Sequence, residues 1–248
     1  MSCEKYRINE NNNYDKKRQT YLNQLIHIFK ENNDDNEKIY DFPKYSPNNS
    51  IKQFLIRYEL VKLIKDIPGD IIECGVCGGR GLFSLLQSHL ILEPNFFYRK
   101  IIGFDTFNGF SKLNDLDNKN VNKIGDFKFE NIEELLNLGK IHTEFQYEDL
   151  NKISLVKGNA EETIPEYINK NKHILISLLY LDFDLYEPTK IALKYFLPRM
   201  CKGSIIVFDE IHFEKFPGET IALLETLNIN NYEIKNLLNS NVNYIKLT

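Results

Sequence analysis

The sequence predicts an α/β fold, a doubly wound and mostly parallel sheet closed by a C-terminal antiparallel hairpin. Three observations carry this. Short apolar runs alternate with stretches of helical periodicity from Asp70 onward. Two of those runs stop abruptly on acids: Leu178-Leu179-Tyr180-Leu181 on Asp182-Phe183-Asp184, and Ile205-Ile206-Val207-Phe208 on Asp209-Glu210. A glycine-rich turn, Glu73-Cys74-Gly75-Val76-Cys77-Gly78-Gly79-Arg80-Gly81, follows the first run. Buried parallel strands read as continuous apolar segments, and open parallel sheets bind ligands beyond their carboxyl ends.

Taken in order, residues 1–17 are polar and expected to be loosely ordered. Tyr21, Leu22, Leu25, Ile26 and Phe29 then fall at helical spacing. Residues 31–50, with Pro43 and Pro47, are expected to be a polar linker. Ser50-Ile51-Lys52-Gln53 has the form of a capping box, and Ile51, Phe54, Leu55, Tyr58 and Val61 form the stripe of the helix behind it. Pro68-Gly69 ends that helix. Ile71-Ile72 opens the first strand, Leu82–Leu92 makes a helix ended by Pro94, and Ile101–Phe104 makes the second strand. Residues 106–150 are a long polar insertion with a helix expected over Ile132–Leu138, closed by Gly139; a connection of that length suits a lid. Strands follow at Ile153–Val156, Ile174–Leu181 and Ser204–Phe208, and a hairpin at Glu233–Leu237 and Val242–Leu247. The expected division is a helical extension over residues 1–66 and one α/β domain over 67–248.

Composition narrows the function. A chain of 248 residues is long enough for one large domain with its own core. A net charge of -4 argues against a partner that is a nucleic-acid backbone. No apolar run reaches the length of a membrane span, and Met1-Ser2-Cys3-Glu4-Lys5 lacks a signal-peptide core, so the expectation is a cytoplasmic protein. Four cysteines do not make a disulfide scaffold in a chain this long. The Cys74-x-x-Cys77 pair has no second pair to complete a zinc site.

Glycines in the turn after the first strand let the backbone pass close to a ligand and present amides at a helix start. Glu73 is placed to anchor a cationic ligand group. Asp105, ending the second strand, is placed to take ribose hydroxyls, although its distance from Gly75 exceeds the usual ~20 residues. The Glu93–Lys100 stretch absorbs that excess. Carboxylates from Asp182, Asp209 and Glu210, gathered at one rim, repel one another unless a cation joins them, and hard oxygens suit magnesium. A hydroxyl beside such an ion is more easily deprotonated. Asp184 also suits a helix-cap role before Pro188. His27, His89, His142 and His173 lack ligand spacing, whereas His212 lies near the rim.

Together these stretches resemble the macrocin O-methyltransferase (TylF/MycF-type) family. The likeness runs through Gly69-Asp70-Ile71-Ile72-Glu73-Cys74-Gly75-Val76, Gly103-Phe104-Asp105-Thr106-Phe107-Asn108-Gly109-Phe110, Leu181-Asp182-Phe183-Asp184-Leu185-Tyr186-Glu187-Pro188-Thr189 and Phe208-Asp209-Glu210. It covers roughly residues 50–225. Leu197-Pro198-Arg199-Met200 and Pro217-Gly218-Glu219-Thr220 bring it near the deoxyhexose O-methyltransferase branch. The resemblance implies a Rossmann-like class I methyltransferase that transfers a methyl group from S-adenosylmethionine to a sugar hydroxyl with magnesium. It implies Asp182 as general base and metal ligand, with Asp209 and Glu210 completing the metal site. Glu73, Gly75, Val76 and Gly79 would hold the methionine part of the donor, Asp105 and Thr106 the ribose, and Asn159 and Ala160 the adenine, with Asp182 beside the donor. Glu210 stands where the family commonly has Asp, and Cys77 where it commonly has Trp. The acceptors implied are a nucleotide-linked deoxysugar or heptose, a surface polysaccharide sugar or a glycosylated natural product. The family also suggests a homo-oligomer through the N-terminal helices.

Two rivals use the same residues. A short-chain dehydrogenase or epimerase would read Gly75, Gly78 and Gly81 as its dinucleotide loop and Tyr186-x-x-x-Lys190 as its catalytic pair. Pro188 between Tyr186 and Lys190 argues against the continuous helix that pair needs. A glycosyltransferase would read Asp182-x-Asp184 as a metal-nucleotide motif, leaving the early glycine turn without a role.

Overall fold

The computed structural model describes residues 13–147 and 150–248. The chain divides into two compact units, one ending at Leu55 and the other covering Ile56–Thr248. In the first, α1 spans Asn13–Glu31 and α2 spans Asp35–Tyr40, followed by a short 3-10 turn over Phe42–Lys44. Most of the expectation for residues 1–17 lies outside the described residues. The expected linker over 31–50 is instead partly helical, because the Asp34 side chain caps α2 by accepting the Glu37 N–H at 3.0 Å. Tyr21, Ile26 and Phe29 of α1 are exposed.

The helix α3 covers Asn48–Leu63, and the second unit begins inside it. It starts directly after Pro47, so Ser50 sits in its first turn rather than at a cap. The buried face is also rotated from the expected one: Ile56, Arg57, Leu60 and Val61 are buried, while Leu55 is exposed. Arg57 is the cause, since its charge is met inside the protein by acids described below.

The second unit holds a seven-stranded sheet in the order β3-β2-β1-β4-β5-β7-β6. The strands are β1 (Asp70–Cys74), β2 (Ile101–Asp105), β3 (Ile153–Lys157), β4 (Ile176–Leu181), β5 (Met200–Phe208), β6 (Ile234–Asn236) and β7 (Asn243–Lys246). The first five pair in parallel, and β7 runs antiparallel to both β5 and β6. The crossover helices are α4 (Arg80–Leu92), α5 (Ile132–Glu144), α6 (Ala160–Lys170), α7 (Tyr186–Phe196) and α8 (Pro217–Thr226). Strand alternation splits the core into two layers. Ile71, Leu178 and Ile205 pack with Ile56, Leu60, Leu82 and Leu85 on one face; Ile72, Leu179 and Ile206 pack with Ile164, Leu193 and Leu223 on the other.

Gly139 does not close α5, which runs on to Glu144; the glycine lies buried inside it, where a Cβ would sit 3.0 Å from Ile153. The Glu93–Lys100 connection is organised around buried Arg99, which pairs with Glu93 at 2.9 Å and donates to the Gly69, Ile64 and Ile67 carbonyls. His89 is buried against Glu93 at 3.0 Å and so has a packing role.

The chain visits β1, β2 and β3 on one side, then crosses to β4 and β5 on the other. The order therefore reverses between β1 and β4, and a crevice opens beyond their carboxyl ends.

Candidate active site

The backbones of the predicted rim residues converge at that crevice. The Asp182 N–H donates to the Cys74 carbonyl at 2.8 Å, the Asp209 N–H to Leu181 at 3.1 Å, the Gly75 N–H to Phe104 at 2.9 Å and the Gly158 N–H to Asp105 at 2.9 Å. These bonds extend the ladders one residue past each strand. They set Gly158-Asn159, Asp105, Gly75, Asp182 and Asp209 in a row along one rim. Gly75 has φ +93°, and a Cβ there would stand 2.0 Å from the Asp182 carbonyl oxygen, so only glycine allows β1 and β4 to diverge so closely. Gly79 is the N-cap of α4 and has no side chain with which to cap its first turn, which suits that helix start to an anion. Asn159 likewise precedes α6 without a side-chain cap, and Ala160 is buried behind it.

Asp105 does something the sequence did not announce. Its Oδ2 accepts the Val76 and Cys77 N–H groups, each at 2.8 Å, and its Oδ1 accepts the Phe107 N–H at 2.6 Å. It fastens the glycine turn from below, and the lone pair left on Oδ1 is what remains for a ligand hydroxyl. Burial raises its pKa and the three amides oppose that. The Thr106 hydroxyl donates to the Gly109 carbonyl at 2.7 Å, shaping the start of the insertion.

Beneath the rim lies a buried charge cluster that sequence reasoning missed. Arg57 stacks its guanidinium 4.5 Å above the Tyr180 ring, and the Tyr180 hydroxyl donates to Asp209 Oδ1 at 2.5 Å. Glu73 Oε1 lies 3.9 Å from Arg57, while Glu73 Oε2 is buried with no hydrogen-bond partner among the described residues. Gly81 makes this possible, because a Cβ there would fall 1.9 Å from Glu73 Oε1. Two tendencies compete in Glu73. Burial raises its pKa, Arg57 lowers it, and burial wins, pushing it up to about 8. Arg57 keeps its charge despite burial because the negative charges of Asp209 and Asp182 lie near it.

Asp182 is half-buried at the mouth of the crevice, and Asp209 and Glu210 are buried beside it. Glu219, on the first turn of α8, adds a further carboxylate: its Oε2 accepts the Glu210 N–H at 3.2 Å and its Oε1 is buried without a partner among the described residues. Burial first, and then Asp184, Asp209 and Glu210, hold its pKa well above the usual carboxylate range. Among the described residues, no three His, Cys, Asp or Glu side chains are already arranged as a metal-ligand set. The chemistry of the rim nevertheless suits a cation: hard oxygen donors, with excess negative charge around an orphaned carboxylate oxygen. Asp184 is buried at φ +62°, and exposed His212 uses its backbone N–H on Thr220 Oγ1 at 2.9 Å. Burial pushes the Cys74 thiol up, so it is an unreactive core residue.

One argument against the dehydrogenase reading fails in detail. Pro188 sits in the first turn of an unbroken α7, and Lys190 does reach the Tyr186 hydroxyl at 2.6 Å. Both are, however, tied to Glu225 of α8, at 2.6 and 2.7 Å.

Comparison with known proteins agrees with this architecture. The model of the macrocin O-methyltransferase (TylF) family matches residues 48–234. Two structures of CalS11, described as a calicheamicin methyltransferase and as a TDP-rhamnose 3'-O-methyltransferase, superpose with TM-scores of 0.88 and 0.81. The first is 29% identical over 93% of this chain and 92% of the other; the second is 26% identical over 96% and 97%. The O-methyltransferase NovP shares the fold, with a TM-score of 0.60 at 20% identity over 80% of each chain. No curated protein sequence matches the chain. The chain belongs to the macrocin O-methyltransferase (TylF) family and is an S-adenosylmethionine-dependent O-methyltransferase.

Proposed function

We propose that this protein methylates a hydroxyl of a nucleotide-linked deoxysugar, with Asp182 as general base and magnesium held by Asp182, Asp209 and Glu210. The observation that carries the acceptor class is the likeness to CalS11, a TDP-rhamnose 3'-O-methyltransferase by its description, over nearly the whole of both chains. The metal reading is supported by the acids at the ends of β4 and β5 and by the surplus of negative charge around Glu219.

In this reading the turn Gly75–Gly79 and the start of α4 hold the methionine end of the donor, with Glu73 and Val76 beneath it. Asp105 and Thr106 border the ribose, and Asn159 and Ala160 border the adenine. Bound S-adenosylmethionine supplies a methyl group that is already electrophilic, so the protein mainly aligns the acceptor oxygen with it. Bound magnesium would acidify the acceptor hydroxyl and offset the carboxylate charge. Asp182, at the point where β1 and β4 part, takes the hydroxyl proton on a carboxylate oxygen as the C–O bond forms and the donor's S–CH3 bond breaks, with S-adenosylhomocysteine as the leaving group. Tyr180 holds Asp209 by its Oδ1.

Residues 67–248 form the methyltransferase domain in this reading, with 106–150 as its lid and 1–66 as a helical extension. The exposed Tyr21, Ile26, Ile28 and Phe29 on α1 support self-association through that extension, which sedimentation equilibrium tests. The acceptor is tested by mass spectrometry of TDP-rhamnose and other nucleotide sugars incubated with S-adenosylmethionine, with and without chelator. A product heavier by one methylene, lost with chelator, is the expected result. Methylation that survives complete chelation would remove magnesium from the account.

A further inference from the structure

Helix α7 starts four residues after Asp182, and its own N-cap, Leu185, offers no side-chain cap. The missing acceptor comes from far away in sequence. Asp117, in the insertion after β2, is buried, and its Oδ1 accepts the Tyr186 N–H at 2.9 Å. Its Oδ2 accepts the Asn114 N–H at 2.7 Å, and the Asn114 side-chain amide donates to Glu187 Oε1 at 2.8 Å. One carboxylate therefore joins the insertion to the first turn of α7, where a negative charge is favoured by the unpaired amides and the helix dipole.

The start of α8 closes the same junction. A Cβ on Gly218 would lie 2.4 Å from the Tyr186 nitrogen and 2.8 Å from Asp117 Oδ1, so the close approach requires glycine. Asn118 adds a longer bond of 3.4 Å to the Glu214 carbonyl. The segment being held, Asp182–Leu185, contains a non-glycine residue in the left-handed region, Asp184 at φ +62°. Such a conformation persists only where the surroundings enforce it.

We propose that Asp117 is a positioning residue for methyl transfer, capping α7 from within the lid so that lid docking and the order of Asp182–Leu185 are one equilibrium. An acceptor that enters by displacing the lid thereby loosens the segment carrying Asp182, and re-docking restores it. The importance of that segment rests on the proposed role of Asp182; the mechanical coupling does not.

The test is amide hydrogen exchange of the full chain, with and without S-adenosylhomocysteine, in Asp117→Ala and Asn114→Ala. In Asp117→Ala, exchange should rise about fivefold or more in peptides from both 110–126 and 182–187, the change that loss of a helix cap implies. Peptides from β2 and β4 should keep their protection, and S-adenosylhomocysteine affinity should change less than twofold. Asn114→Ala removes the bond to Glu187 and, within the insertion, the bond that Asn114 Oδ1 accepts from the Leu116 N–H, and leaves the Asp117 carboxylate in place. It separates a simple cap from a coupled one, because coupling requires 182–187 to loosen there too. With TDP-rhamnose as acceptor probe, turnover should fall at least tenfold in Asp117→Ala without a matching change in the KM for S-adenosylmethionine. Loosening of only one of the two segments, or equal loosening throughout the sheet, overturns the proposal. Should Asp117→Ala not fold, Asn114→Ala alone decides by the same two peptides.

Discussion

Glu73→Gln is the perturbation with the clearest consequence. Glu73 is 1% exposed, its Oε2 lacks a partner among the described residues, and burial pushes its pKa to about 8 against an ordinary 4.5. Its folded pKa is raised, so the native state binds more protons than the unfolded chain between those values. Stability from this group is therefore present at low pH and lost as pH climbs toward 8. Across the full window the shift corresponds to about 5 kcal/mol; between pH 6 and pH 8 the loss is about 2 kcal/mol, from the same linkage relation. Glutamine keeps the shape without titrating. Urea unfolding of both proteins at pH 6 and pH 8 gives the double difference, in which titrating groups not coupled to Glu73 cancel. The wild-type chain should lose about 2 kcal/mol more than Glu73→Gln over that interval. Equal pH dependence in the two proteins would refute the claim that Glu73 is held protonated beside Arg57.

Asp182→Asn should retain S-adenosylmethionine binding by calorimetry while turnover falls by about 10²- to 10⁴-fold, the range for removal of a general base. Unchanged turnover at saturating donor would refute that role. Tyr180→Phe leaves Asp209 Oδ1 without its buried donor and should cost about 1–3 kcal/mol in urea unfolding, with no cavity to confuse the result. Gly75→Ala should destabilise the fold by about 3 kcal/mol, since its φ of +93° and the Asp182 carbonyl 2.0 Å from the new Cβ both oppose a side chain; donor binding should be lost with it.

The central strands were legible because β1, β2, β4 and β5 are largely buried on both faces, so each carries an apolar run that ends near an acid or glycine. The rim followed directly, since Gly75, Asp105, Asp182 and Asp209 are the residues at which those runs stop. Helix faces were less legible where charge is buried. The stripe on α3 was misplaced because Arg57 lies on the inner face, its charge matched by Asp209 from another strand. Gly139 resembled a stop signal and is instead a point of close packing inside α5. The Tyr186–Lys190 contact formed despite Pro188, because a proline in the first turn gives up no helical hydrogen bond. Asp117 was beyond reach, because capping from 69 residues away leaves no local pattern.

The central claim is that carboxylates from β4 and β5 gather on one divalent cation beside the donor pocket. A crystal grown with S-adenosylhomocysteine and magnesium, and a second with manganese for its anomalous signal, tests it directly. One ion per chain, at about 2.1 Å from oxygens of Asp182 and Asp209 in the magnesium crystal, is the predicted result. A filled donor pocket with no ion at the rim, and with Asp182 and Asp209 turned apart, would contradict it.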